Sequence, residues 1–306
     1  MINKQRLNYL YNRLLFRIKK DSFKKLFIIT LKTIFSSTDK INLDKLDKSH
    51  LSLDSLFLTF GTDKGYHESK KTFWNIYKDL KTRSEYKNYL EWIQREKLDD
   101  DRHEMGLNYS PIYEKYCKNL KNDKLNILEV GVAAGHSLAC WYYYFPNSKI
   151  SGIDIKDEKF VQYEGARLKY NKLDCLNKIQ VEDFKKKEKD FDIVIDDSFH
   201  DHPFFETNLV NFFPKLKKGG IYFLEDFKNS DDKLIGIRDY NAKHNRKLWK
   251  FNLTMKEIFK KIKSKEYFDH EIIKKRDLEY LFENVEDINI YYQGHPTSSI
   301  AVIKKK

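Results

Sequence analysis

From residue 125 to the end of the chain, short apolar runs alternate with amphipathic stretches, the pattern of strands and helices in an α/β sheet. The runs Leu125–Val130 (LNILEV), Lys149–Ile155 (KISGIDI), Phe191–Asp196 (FDIVID) and Gly220–Glu225 (GIYFLE) are apolar enough for parallel strands buried on both faces. Leu168–Lys172 is a fifth, weaker strand. Helices fit between them at His136–Tyr144, Val161–Leu168, Asn177–Lys187 and Phe204–Leu216. Two last runs, Asp287–Tyr292 and Ser299–Lys304, flank QGHPTS and read as an antiparallel hairpin at the sheet edge.

Upstream the pattern differs. Leu7, Leu10, Tyr11, Leu14, Leu15 and Ile18 recur every three to four residues among basic ones, which predicts an amphipathic helix. Residues 36–50 are polar and read as a linker. An apolar stretch at 51–60 runs into the turn GTDKG at 61–65, and residues 68–105 are rich in charged and aromatic side chains. Tyr109–Leu120 reads as a helix with Ser110 as its N-cap and Pro111 in its first position. The expected organisation is a basic helical arm at 1–48, a helical cover at 49–120 with an insertion at 68–108, and an α/β core at 121–306.

Charge refines this picture. The chain of 306 residues carries a formal net charge of +12. Residues 1–48 hold +8 of that, and the remaining 258 residues only +4. A nucleic-acid enzyme spreads basic surface over its body. The nearly balanced body therefore argues against nucleic acid as the partner, although the arm keeps a nucleic-acid enzyme open as an alternative, as it does a non-catalytic binding subunit. The longest apolar run of the arm, Leu26–Leu31, is far short of the ~20 residues that cross a bilayer. It also lacks the apolar stretch of a secretory signal. Residues 1–35 are expected to pack on the core or on a sister subunit, or to lie on the inner membrane face as a basic amphipathic helix. Three cysteines, Cys117, Cys140 and Cys175, without C-x-x-C spacing, exclude a disulfide framework and a zinc ribbon and point to the cytoplasm.

The first strand ends in EVGVAAGHS, with Glu129, Gly131, Gly135, His136 and Ser137. Gly131 permits a tight turn, and Gly135 lets a ligand approach the backbone where the helix begins. The spacing E-x-G-x-x-x-G is neither the dinucleotide fingerprint nor a P-loop. The second strand ends in Asp154, placed to accept hydrogen bonds from both hydroxyls of a ribose. Two further strand ends are acidic: Asp196 and Asp197 lead to His200 and His202 in IDDSFHDH, and LEDF holds Glu225 and Asp226. Carboxylates converging at one sheet edge repel one another, and a hard divalent cation with oxygen ligands relieves them. Asp196 is expected to be structural, and His202 is the second candidate for a base.

These residues carry a resemblance. A strand, E-x-G-x-x-x-G, a second strand ending in an acid and a terminal hairpin resemble class I S-adenosylmethionine-dependent methyltransferases over residues 106–306. D-D-x-x-H followed by G-G-I-Y-x-x-E-D is similar to the metal-dependent sugar O-methyltransferases of macrolide biosynthesis (mycinamicin and tylosin tailoring) and their cephalosporin-hydroxylase-like relatives. The stretches SLACWYYYFPNSKISGIDI, FGTDKG with His67, and YSPIYEKY are similar to that family too. The resemblance implies a Rossmann-like sheet of seven strands, mostly parallel, with the last antiparallel. It implies that the Gly131–Gly135 loop, with Glu129 and Ser137, passes the methionine part of S-adenosylmethionine, that Asp154 holds the ribose and that Asp174 lies near the adenine. The metal ligands fall on Asp197, Glu225 and Asp226, for Mg²⁺ or Mn²⁺, and the general base on His200. The expected acceptor is a sugar or nucleotide-sugar hydroxyl, in surface polysaccharide or natural-product synthesis, and the expected assembly a homo-oligomer. Lys233, Arg238, Lys243 and Arg246 are candidates to meet a diphosphate.

Overall fold

The computed structural model describes residues 40–60, 62–65, 107–227, 251–292 and 299–306. Ile41–Lys306 is one compact unit. Residues 1–39 of the expected basic arm, the insertion apart from its last two residues, His67, His295 and the basic residues at 233–246 lie outside the described residues.

In chain order the strands are β1 (Ile41–Asn42), β2 (Asn126–Val130), β3 (Lys149–Asp154), β4 (Tyr163–Glu164), β5 (Leu168–Lys172), β6 (Phe191–Asp196), β7 (Leu216–Glu225), β8 (Val285–Tyr292) and β9 (Ser299–Lys305). The helices are α1 (Leu53–Phe60), α2 (Ser110–Cys117), α3 (His136–Tyr144), α4 (Lys178–Lys187), α5 (His202–Phe212), α6 (Met255–Ser264) and α7 (Lys275–Asn284). Seven strands form one sheet in the order β5-β3-β2-β6-β7-β9-β8. The first five are parallel, and β9 runs antiparallel to both β7 and β8. The chain reverses its strand order beside β2, so the carboxyl ends of β2, β3 and β6 open a crevice at a topological switch point.

Alternation along the strands builds two cores. Ile127, Ile193, Ile195, Phe223 and Val302 face one side, where α1, α2 and α3 cover them with Phe57, Tyr113 and Trp141. Leu128, Val130, Val194, Leu224 and Ile303 face the other, under α4 to α7. Trp141 is wholly buried, with Phe57 edge-on at 5.3 Å and Tyr113 tilted at 4.8 Å. The aromatic run of α3 is therefore core, as its helical spacing predicts.

Several sequence expectations need correcting. Residues 41–46 are not a free linker. Leu43 is buried, β1 pairs with β4, and the Tyr143 hydroxyl donates to the Leu43 carbonyl at 2.5 Å. The apolar spacing at Val161–Leu168 suggested a helix, but the segment is a turn, β4 and the approach to β5. There the Gln162 amide donates to the Ala134 carbonyl at 2.9 Å, and Gly165 lies under the Tyr142 ring, where a Cβ would come within 2.8 Å of the ring. Tertiary pairing overrides local pattern. Helix α5 starts two residues early because Asp201 caps it, accepting from the His202 amide at 2.8 Å. Ser110 does not cap α2: Tyr109 is the N-cap residue, and the Ser110 hydroxyl donates to Asp54 at 2.5 Å.

Asp44 joins the β1 segment to the core. It accepts from the Tyr142 hydroxyl and from the Ala166 amide at 2.8 Å, while the Arg167 guanidinium stacks on the Tyr142 ring at 3.8 Å. The Tyr142 and Ala166 hydrogen bonds hold the Asp44 carboxyl below its ordinary value of 3.8. A lowered folded-state pKa contributes stability above the unfolded value that is lost as pH falls through the folded one. Below about pH 4, the wild type should therefore lose stability more steeply than Asp44→Asn, which thermal melts against pH would record.

Candidate active site

Gly131 takes a left-handed φ of +90°, and a Cβ there would stand 2.1 Å from the Asp197 carbonyl oxygen. The first glycine of the loop thus lets the end of β2 pass against the backbone that carries the acid cluster. Gly135 at φ +88° ends the loop against Val161 and precedes α3. Between them the Ala133 amide donates to Asp154 Oδ2 at 2.7 Å, and Asp154 Oδ1 takes the Lys156 amide at 3.0 Å. Asp154 organises the rim of the crevice as well as lying at it. Asp174 caps its own turn, accepting from the Leu176 amide at 2.9 Å. Ser137 is buried in the first turn of α3, and His136 Nδ1 lies 2.9 Å from the Tyr163 hydroxyl.

Glu129 is wholly buried. Among the described residues neither of its oxygens has a hydrogen-bond partner, and the Lys64 ammonium stands 4.0 Å from Oε1. Burial pushes Glu129 up to about 7 against the pull of Lys64. A buried carboxylate beneath a glycine loop, with only a distant ammonium beside it, fits a ligand that brings its own cation.

The acids at the ends of β6 and β7 converge. Register pairs Val130 with Asp196 and Asp196 with Leu224, so Gly131, Asp197 and Glu225 reach one level of the sheet edge. Asp196 points into the second core, where Asn208 and the Tyr222 hydroxyl donate to it at 2.9 and 2.8 Å, the structural role expected for it. Asp197 Oδ1 lies 2.7 Å from His200 Nε2, and Asp226 Oδ2 is 3.8 Å from the same nitrogen. One donor atom each from Asp197, His200 and Asp226 falls within 4.8 Å of the others, a spacing that suits a cation.

Glu225 is buried behind this group, held by Lys64 and by the Tyr113 hydroxyl. Lys64 also donates to Asp197 Oδ2 at 2.5 Å, and the Tyr109 hydroxyl donates to Asp226 Oδ1 at 2.5 Å. Burial opposes a charge on Lys64, but Asp197, Glu225 and Glu129 more than reverse it, so the ammonium stays charged. Burial likewise opposes the His200 imidazolium. The Asp197 hydrogen bond and the Asp226, Asp197 and Glu225 charges outweigh it and bring His200 up to about 9. Burial raises Asp226 to about 6 despite His200.

Sequence reasoning assigned no role to Lys64, Tyr109 or Tyr113, although their motifs had been singled out. Tyr109 and Tyr113 are four apart, one helical turn, which was the available signal. Backbone hydrogen bonds from Leu107 to Asp63, from Asn108 to Gly65 and from Tyr109 to Lys64 bind the two motifs side by side. His202 is not at the site. It is buried at the start of α5, 2.6 Å from Glu206 Oε1 and stacked on Phe251. Of the five non-glycine residues with positive φ among the described residues, Asn108, Ala133, His200 and Asp226 border the crevice. Such backbone strain collects at functional sites.

A family model described as a methyltransferase domain matches residues 121–286, more than half of the chain. This chain belongs to the methyltransferase-domain family. Curated relatives narrow the likeness. The mycinamicin VI 2''-O-methyltransferase of Micromonospora griseorubida is 30% identical over 125 residues, 39% of this chain and 31% of that protein. The demethylmacrocin O-methyltransferase of Streptomyces fradiae is 27% identical over 128 residues, 39% of this chain and 31% of that protein. The match thus spans about a third of the length of these relatives. Among solved structures, a MycE methyltransferase from the mycinamycin biosynthetic pathway, in complex with Mg and SAH, aligns with a TM-score of 0.55 at 19% identity, over 83% of this chain and 55% of that one. That likeness establishes the shared methyltransferase fold.

Proposed function

We propose that this methyltransferase-family chain transfers the methyl group of S-adenosylmethionine to a sugar hydroxyl, with a divalent cation, Mg²⁺ or Mn²⁺, at the acid cluster. The observation that carries the reading is the placing of Asp197, Glu225, Asp226 and His200 together at the strand ends, beside the glycine loop. The MycE structure described above holds Mg and SAH, and the curated relatives named above are O-methyltransferases.

The residues fit both groups. The buried Glu129 suits the amino group of a methionine moiety, with Ser137 and the Gly131–Gly135 backbone alongside; Asp154 would take the ribose hydroxyls and Asp174 would lie by the adenine. Asp197 and Asp226 offer the hard oxygen donors that Mg²⁺ or Mn²⁺ prefers, and Glu225, hydrogen-bonded to Lys64 and Tyr113, would back them from the inner side. A cation held there would lower the pKa of a bound acceptor hydroxyl. His200 is positioned to take the hydroxyl proton, oriented by its contact with Asp197. Any positive charge bound by the same carboxylates lowers His200 toward the neutral form that a base needs. The methyl then passes directly from sulfur to oxygen: the new C–O bond forms as the C–S bond breaks, and S-adenosylhomocysteine leaves. No covalent enzyme intermediate is required.

The surroundings of the reaction belong to the same proposal. The three cysteines are free and buried, in keeping with a reducing compartment such as the cytoplasm. Among the described residues no helix is long and apolar enough to cross a membrane. A saccharide of a bacterial surface polymer, a nucleotide-sugar or a glycosylated natural product is the acceptor class, and nucleic acid is not.

The test is transfer of labelled methyl from S-adenosylmethionine to a panel of sugar nucleotides and glycosides, with Mg²⁺ and with EDTA. Labelled sugar that disappears with EDTA is the expected result. Undiminished turnover in EDTA would remove the cation from the reading. For the cofactor site, Asp154→Ala removes the hydrogen bonds that shape the loop as well as a ribose partner. It should weaken S-adenosylhomocysteine at least about tenfold, the effect of losing 1.4 kcal/mol, as isothermal titration would show.

A further inference from the structure

The acid cluster gathers more carboxyl groups than one divalent ion calls for. Glu129, Asp197, Glu225 and Asp226 bring four carboxyl groups to one sheet edge, and three of the four are buried. Into the inner half of this group the chain inserts a side chain of its own. Lys64 is 2% exposed, and its ammonium reaches Glu225, Asp197 at 2.5 Å and Glu129 at 4.0 Å. It stands on the opposite side of Asp197 from His200: Oδ2 takes Lys64, and Oδ1 faces the imidazole. In the outer half Asp197, His200 and Asp226 come within 4.8 Å of one another, and among the described residues no lysine other than Lys64 is paired with these acids.

We propose that Lys64 is a fixed internal cation that fills the inner half of the acid cluster and thereby limits the site to one divalent ion on its outer side. This rests on the reading of the cluster as a divalent-metal site. It adds a residue that sets how many ions are held and where.

Carboxylates arrayed like these are the makings of a two-ion site, in which the metals stand about 3.5–4 Å apart and bridge the acids. An ammonium already hydrogen-bonded to Asp197 and Glu225 occupies the volume and the lone pairs that a second ion would use. It also repels one, because two like charges at this separation in a low-dielectric interior interact strongly. The backbone that carries Lys64 is tied down: the Lys64 carbonyl accepts from the Tyr109 amide at 2.7 Å, and the flanking Asp63 and Gly65 carbonyls accept from the Leu107 and Asn108 amides. Glu225 is pinned from its other oxygen by Tyr113, so the ion pair is held from both ends. Lys64 is thus a positioning residue. It holds two carboxylates in place and tunes their net charge, and no reacting atom need touch it.

The test is Mn²⁺ binding, followed by electron paramagnetic resonance and isothermal titration on the full chain, wild type and Lys64→Met. Wild type should bind a single Mn²⁺. Lys64→Met, which keeps most of the length of the side chain and removes its charge, should bind Mn²⁺ at least tenfold more tightly or take up a second, spin-coupled Mn²⁺. Unchanged or weaker binding of one Mn²⁺ by the variant would overturn the inference and leave the metal reading standing. No Mn²⁺ bound by wild type would overturn the metal reading itself, and the inference with it. Should Lys64→Met not fold, wild type still decides: two spin-coupled Mn²⁺ ions there would overturn the inference. The charge-conserving Lys64→Arg should keep the single-ion stoichiometry, and a second ion in that variant would count equally against it.

Discussion

His200→Ala should lower kcat by about 100-fold or more, the usual contribution of a positioned proton acceptor, and leave the affinity for S-adenosylhomocysteine within a factor of three. The split between the two measurements is what makes this informative. His200 is on the acid cluster, 2.7 Å from Asp197, and not on the loop that would take the cofactor. A histidine that only held the fold would shift melting temperature and cofactor affinity along with kcat. His200 is part-exposed and in a left-handed conformation, φ +56°. Alanine tolerates that conformation no better, so the substitution tests the imidazole itself. Full activity in His200→Ala would refute the assignment of the base.

Gly131→Ala should be more damaging still, for a different reason. It demands φ +90° of a residue with a Cβ, and places that Cβ 2.1 Å from the Asp197 carbonyl oxygen and 2.7 Å from Ser198 Cα. Left-handed strain alone costs roughly 1–3 kcal/mol, and here backbone has to yield to backbone. The Asp197 amide is also tied to the Val130 carbonyl at 2.8 Å, so the segment cannot move away alone. The expected result is loss of metal and cofactor binding together and a drop in melting temperature of many degrees, read by calorimetry with and without Mg²⁺. A Gly131→Ala protein that melted like wild type and bound cofactor normally would contradict the described packing of the loop on β6.

Why the strand-end acids were legible in the sequence is a matter of geometry. Parallel strands deliver their carboxyl ends to one edge, so an acid that closes an apolar run must lie in or near the crevice. Asp154, Asp197, Glu225 and Asp226 follow from that rule, and so does the separation of Asp196 from Asp197, since neighbouring residues in a strand face opposite sides. His200, three residues after Asp197, was what the resemblance implied for the base. The partners of these acids were not legible. Lys64 is 133 residues from Asp197 and 161 from Glu225. A lysine within a polar turn such as GTDKG reads as solvated until the fold buries it. Tyr109 and Tyr113 read as apolar faces of a helix, and their hydroxyls have meaning only once β7 and β9 are beside them. The helix expected at Val161–Leu168 failed because the contacts that decide that segment, with β1 and Tyr142, are also distant in sequence. The weak strand Leu168–Lys172 succeeded because an edge strand such as β5 needs less apolar content than a central one. His202 had the right chemistry at the wrong phase of the turn, and the Asp201 cap turns it into the core.

The central claim is that the crevice at the ends of β2, β3 and β6 takes S-adenosylmethionine beside a divalent ion. Calorimetric titration of the protein with S-adenosylhomocysteine, with and without Mg²⁺, tests it most directly. The account predicts saturable binding of one S-adenosylhomocysteine per chain in the micromolar range. Absence of binding under both conditions would contradict it, and the glycine loop with Asp154 would then be a turn and its tether with no cofactor to hold.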